Sequence, residues 1–244
     1  MYRVALACVA PVAAFLSSLL IPAPAMAIEA YIFRGAGDFS FIAKPLTFSQ
    51  GMDTIGDKLK QSGIYAEVYR WEAAEWAYRD IMSRKPDAVA LMGHSMGALT
   101  AIAMANRLKG SGIRVAYMGL IDIPGPVGAT PSNVEVAENF YHAFPVYGLL
   151  PKPASHKGIV KNEYVFGQIH VTMDNSVHIH DSMISAIWLA DSETRRANLQ
   201  AFTAEPTPAS LSSVEKVIAR PEEIAAVSTN EAQLTKAGKL PPIQ

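Results

Sequence analysis

Cysteine is nearly absent from this 244-residue chain: the only one is Cys8. A disulfide framework or a cysteine-rich metal site is therefore excluded, and the fold must stand on its apolar core. An excess of charge of either sign is also missing, with 21 basic against 22 acidic residues and a net charge of −1. Nothing here calls for a nucleic acid or an anionic membrane surface as partner. Internal repeats are not evident. His170, Asp174, His178, His180 and Asp181 fall within twelve residues, but no H-E-x-x-H or comparable ligand spacing appears, so neither a metal nor another cofactor is expected. Beyond Glu205 a strong apolar face is lacking too. Pro206, Pro208, Pro221, Pro241 and Pro242 punctuate an Ala/Glu/Ser-rich stretch, and 205–244 reads as a weakly structured tail.

What is present begins with the first 27 residues. Arg3 supplies one positive charge, an uncharged run follows from Val4 to Leu20, and Ala25-Met26-Ala27 places small residues at minus three and minus one of a cleavage site. That order predicts a signal peptide over 1–27 and an exported protein, periplasmic or secreted. An uncleaved membrane anchor is the alternative, because the apolar run approaches the ~18 residues of a span. Cleavage would remove Cys8 and Arg3, leaving 20 basic and 22 acidic residues, with no thiol and no stable membrane span.

From Ile28 onward the pattern alternates. Residues 29–39, "EAYIFRGAGDF", read as a strand ending in a glycine turn; 52–59 has helical spacing; 64–71 is a second strand; and 71–84 is helical up to Lys85-Pro86. The apolar run "DAVALM", 87–92, is of the kind found in strands buried on both faces, and "ALTAIAMANRLKG" after Gly97 reads as a helix closing at Gly110. A further strand is expected over 113–122, a helix over 133–142, a fifth strand over 162–171 and a long helix from 182. This predicts an α/β fold over 28–204, with a mostly parallel central sheet and helices on both faces.

Gly93-His94-Ser95-Met96-Gly97 matches G-x-S-x-G. Three fixed positions of common residues match by chance in roughly one chain of this length in ten, so context decides, and the strand before and helix after provide it. A serine hydroxyl needs a base, and the base needs an acid to orient it. Asp122, at the carboxyl end of a predicted strand, is the only aspartate between Ser95 and the later histidines. Glu135 and Glu138 fall on the expected 133–142 helix, and Glu163 is the remaining acid in that interval. His170 is the first choice of base and His178 the alternative. His94 lies within the elbow with its side chain expected to point away from Ser95, while His142 and His156 precede the last expected strand. Donors for an oxyanion are expected from the N–H of Met96 and from the loop after the first strand, at Ala36, Gly37 or a close neighbour. Asp38 reads as a turn-former.

These residues resemble the α/β-hydrolase superfamily: "GAGD" after the first strand, "GHSMG" at the elbow, "LID" after the next strand and "HVTMD" before the last helix. The chain is similar to small bacterial lipase-like or thioesterase-like members over about 28–200. The resemblance supports Asp122 and His170 over their rivals, and the short span between them implies a minimal, open site covered by 124–160. Its implied activity is that of a serine hydrolase acting on a small-molecule ester or thioester through an acyl-enzyme. Phe39, Phe41, Tyr141, Phe144, Tyr147 and Leu149 are candidates for an acyl pocket, with ordinary core packing as the alternative for each. The competing expectation is a hydrolase fold retained as a catalytically inactive binding or interaction protein.

Overall fold

The computed structural model describes residues 28–37, 49–142 and 148–203. The expected signal peptide, Asp38, the pocket candidates Phe39, Phe41, Phe144 and Tyr147, and the expected tail lie outside the described residues. The chain separates into one unit through Arg195 and a second from Arg196. The second is described only as helix, to Thr203.

The described residues include six strands and five α-helices: β1 (Ile28–Arg34), α1 (Gln50–Gln61), β2 (Tyr65–Arg70), α2 (Ala74–Arg84), β3 (Ala88–His94), α3 (Met96–Arg107), β4 (Arg114–Ile121), β5 (Val134–Tyr141), β6 (Ile159–Tyr164), α4 (His170–Met173) and α5 (Val177–Thr203). The strands form one sheet in the order β2-β1-β3-β4-β5-β6. All five pairings are parallel.

Alternating strand residues feed two cores. Ile28, Ala30, Ile32, Ala90 and Met92 pack with Met52, Ile55 and Leu59 of α1 and Ile179, Met183 and Ile187 of α5. Tyr31, Phe33, Val89 and Leu91 pack with Ile81 of α2 and Ala98, Ala101 and Ala105 of α3. Side chains alternate along a strand, so both faces of the sheet are apolar and both need helices over them. One irregularity resets the alternation: Val89 pairs with Val115 but Ala90 with Tyr117, leaving Ala116 as an extra residue in β4. Such a bulge re-aims the side chains that follow it.

The strand order places the site. After β1 the chain crosses to β2 on one side and then returns to β3 on the other, so β1 and β3 flank the point where the winding reverses. In open parallel sheets ligands gather outside the carboxyl ends of strands at such a point. Gly35 follows β1 there and Ser95 follows β3.

The expected helix over 133–142 is overturned, because that stretch is β5. Its polar residues disguised it. Glu138 is buried, accepting from the Tyr117 hydroxyl at 3.1 Å and from Lys161 at 3.0 Å. Asn139 is buried as well, donating to the Gly148 carbonyl and to Asn162 Oδ1. Polar side chains in a sheet interior are tolerated when they find partners, and Glu135 and Glu138 therefore do not lie on a surface helix. The expected strand over 162–171 is β6 at 159–164, and His170 opens the short turn α4. The last helix begins at Val177 rather than at 182.

Candidate active site

Ser95 is held at a sharp turn, with φ 54° and ψ −122° between β3 and α3. A non-glycine residue adopts such a backbone only when its surroundings enforce it. Here the Ser95 N–H donates to the Ile121 carbonyl at 2.9 Å. The two motif glycines leave room for the turn. A Cβ on Gly93 would fall on the Gly97 carbonyl group, and one on Gly97 on the carbonyl oxygens of Phe33 and Arg34. The turn presents Ser95 Oγ to His170 Nε2 at 3.0 Å.

His170 reaches the serine from α4, and its other nitrogen, Nδ1, donates to Asp122 Oδ2 at 2.5 Å. Asp122 is the first residue after β4 and has φ 49°. Its N–H donates to the Phe140 carbonyl at 2.8 Å. Burial opposes its charge, but the hydrogen bonds from His170 and His142, together with their electrostatic attraction, hold the carboxyl below its usual value. With Asp122 ionised, His170 carries its proton on Nδ1 and leaves Nε2 to accept from Ser95.

The backbone of His170 is anchored separately. His94 is buried, and its Nε2–H donates to the His170 carbonyl at 3.0 Å. That fixes the His94 tautomer, so its Nδ1 accepts from Ser49 Oγ at 2.6 Å. Ser49 Oγ in turn accepts from the Gly35 N–H at 3.0 Å. Burial, opposed by Asp174, keeps His94 below the usual histidine value and therefore neutral. The elbow histidine thus ties the loop after β1 to the turn that carries His170. Asp174 adds a second anchor: it is 1% exposed, and its Oδ2 accepts from the Gly51 N–H at 2.9 Å at the start of α1.

The other sequence candidates are dispersed. His178 is exposed and pairs with Glu163 at 2.5 Å, away from Asp122 and Ser95. His180 Nε2 donates to the Asp174 carbonyl at 2.5 Å, Asp181 lies 4.0 Å from Lys58, and His156 is buried against the Pro131 carbonyl. Among the described residues no His/Cys/Asp/Glu group is placed to hold a metal ion, and no helix is long and apolar enough to cross a membrane. Tyr141 is half-buried, edge-on to Tyr164 at 5.8 Å, and Leu149 is exposed. Gly35 abuts the serine, since a Cβ there would lie 3.1 Å from Ser95 Cβ. Its N–H is engaged by Ser49, so Ala36 and Gly37, the latter at φ 92°, are the next amides in that loop.

One neighbour of Asp122 was missed by sequence reasoning: His142 donates from Nδ1 to Oδ1 at 2.7 Å. Its signal was its place one residue after β5, which the helix expectation concealed.

Residues 72–157 match the family model of the thioesterase domain. The matched third of the chain contains Ser95, Asp122 and His142 and stops before His170. No curated relative matches the chain. Among solved structures, the lin2722 gene product of Listeria innocua is similar at 12% identity and TM-score 0.47, over 66% of this chain and 93% of that one. The type II thioesterase BorB from the borrelidin biosynthetic cluster is similar at 13% identity and TM-score 0.45, over 70% and 95%. Over residues 72–157 the chain is thus similar to the thioesterase domain, and the sheet that holds Ser95 is six-stranded and parallel.

Proposed function

We propose that the protein is a serine hydrolase that cleaves an ester or thioester through Ser95, His170 and Asp122. Ser95 Oγ attacks the substrate carbonyl carbon while His170 Nε2 takes its proton, and Asp122 stabilises the imidazolium that forms. Met96 opens α3, where helix N–H groups have no partner within the helix. Its amide and that of Ala36 or Gly37 are the donors assigned to the oxyanion. As the tetrahedral intermediate collapses, the C–O or C–S bond breaks and His170 returns the proton to the departing alcohol or thiol. Water, deprotonated by the same nitrogen, then attacks the acyl-enzyme; the acyl carbon–Ser95 Oγ bond breaks, His170 returns the proton to Oγ, and the acid is released. The thioesterase-domain match supports a thioester as the substrate class.

One observation carries this reading: a strained serine whose Oγ lies 3.0 Å from an imidazole that is itself held on a buried aspartate. The experiment is labelling with a fluorophosphonate probe of wild type, Ser95→Ala, Asp122→Asn, His170→Ala and His178→Ala. Labelling should vanish in Ser95→Ala and His170→Ala and persist in His178→Ala. A folded wild type that does not label, or a loss confined to His178→Ala, refutes the assignment. Export is part of the proposal, supported by the order of features in residues 1–27, and a secreted or periplasmic product starting elsewhere than near Ile28 would refute the cleavage site.

A further inference from the structure

Asp122 receives two histidines, one on each oxygen, and the chemistry above uses only one of them. His170 Nδ1 occupies Oδ2 at 2.5 Å and His142 Nδ1 occupies Oδ1 at 2.7 Å. The two rings stand 6.5 Å apart. The parallel register dictates this meeting. Ile121 pairs with Phe140, so the residues just beyond the ends of β4 and β5 emerge side by side, with the Asp122 N–H on the Phe140 carbonyl. The Asp122 side chain is 10% exposed and that of His142 25%, so water has little access to take the histidine's place.

The torsion that turns a carboxylate about Cβ–Cγ is broad and roughly two-fold. Held by one donor, its plane can swing away from the His170 ring. Held by two donors on opposite oxygens, it has one orientation in which both bonds are satisfied. We infer that His142 is a positioning residue for the proposed reaction: its bond to Oδ1 fixes the rotation of the Asp122 carboxylate and thereby presents Oδ2 to His170. It acts through Asp122 and not on the reacting atoms. The kinetic consequence rests on the serine hydrolase reading; the hydrogen-bond consequence does not.

The test compares wild type, His142→Ala and His142→Asn, the last placing an amide N–H near the position of Nδ1. Hydrolysis of a p-nitrophenyl ester should show kcat lowered by about 10- to 100-fold in the alanine variant, the scale of a small misplacement of a reacting group, with KM within two-fold. Asparagine should restore most of it. Independently of activity, proton NMR of wild type should show two low-field imidazole N–H signals that both disappear in Asp122→Ala. The His170 signal, identified by its loss in His170→Ala, should broaden or shift in His142→Ala and return in His142→Asn. An unchanged His170 signal and kcat in His142→Ala, an asparagine variant no better than alanine while folded, or a wild type with one such signal would each overturn the inference. Should the wild type neither label nor hydrolyse while the NMR pattern holds, the hydrolase reading and the kinetic consequence fall, and the hold of His142 on the Asp122 carboxylate stands.

Discussion

Gly97 offers a sharp test of how the elbow is built, through the substitution Gly97→Ala. A Cβ at this position would meet the carbonyl oxygens of Phe33 and Arg34, within the 3.0 Å that real Cβ atoms essentially never cross. Both obstacles are backbone at the end of β1, so no side chain can rotate out of the way. Relief requires α3 to move off the sheet. Overpacking costs about 1–3 kcal/mol, and rigid partners put this case near the top of that range. For a domain of this size each kcal/mol lowers Tm by about 2–4 °C, giving a fall of roughly 6–12 °C. The same movement shifts Ser95 and the Met96 amide relative to the Gly35–Gly37 loop, and a displacement near 1 Å can cost about 10²-fold in rate. Thermal melts and fluorophosphonate labelling rates measure both effects. Gly128→Ala is the control, because a Cβ there meets nothing within 4 Å. A Gly97→Ala protein that melts with wild type and labels at the wild-type rate would refute the close approach of α3 to β1.

Asp122→Asn places an amide where His170 Nδ1–H now finds a carboxylate, favouring the wrong tautomer; ester hydrolysis should fall by roughly 10³–10⁴-fold, and a loss under ten-fold would remove Asp122 from the role. Stability should decline on the acid side. His94 and His180 are held below the usual histidine value, chiefly by burial, so the unfolded chain binds their protons first. Their contribution is complete above the unfolded value near ~6.5 and is lost as pH falls below it, by at most about 1.4 kcal/mol per pH unit each. The depressed Asp122 adds its own loss only below the ordinary carboxylate value. Urea midpoints at descending pH should fall, and fall less steeply in His94→Gln; equal slopes would contradict a buried neutral His94. Finally, the Ile28 backbone nitrogen lies 3.2 Å from Asp191 Oδ1, both residues being buried. Cleavage after Ala27 would make that nitrogen an ammonium, so Asp191→Asn should cost the processed chain about 3 kcal/mol and a chain still carrying residues 1–27 about 1 kcal/mol; equal losses would refute the pairing.

Much of the fold was legible because the strands from β1 to β4 obey simple rules. "DAVALM" is uninterrupted because β3 is buried on both faces, and its seven residues are all buried in the structure. The glycines of the elbow mark two close backbone approaches. Legibility failed at β5, for a reason visible in its partners. Glu138 read as part of a surface helix, yet it is buried on Tyr117 and Lys161, and its neighbour Asn139 is buried on Asn162. Hydrophobic periodicity registers the apolar residue and is blind to a buried polar one that is bonded to neighbours distant in sequence.

That single misreading has a consequence at the site. In a parallel sheet every strand delivers its next residue to the same edge. β3 delivers Ser95, β4 delivers Asp122 and β5 delivers His142, three first residues after three adjacent strands. His170 arrives from the turn that follows β6 and is fixed from below by His94 and Asp174. Chain order leads to Ser95, Asp122 and a choice between His170 and His178, because a serine nucleophile calls for a base and an acid. No chemical rule asks for a second histidine on the acid. Only the register of β4 against β5, with Ile121 beside Phe140, brings His142 to it, so a strand read as a helix hides the residue at its end along with the strand itself.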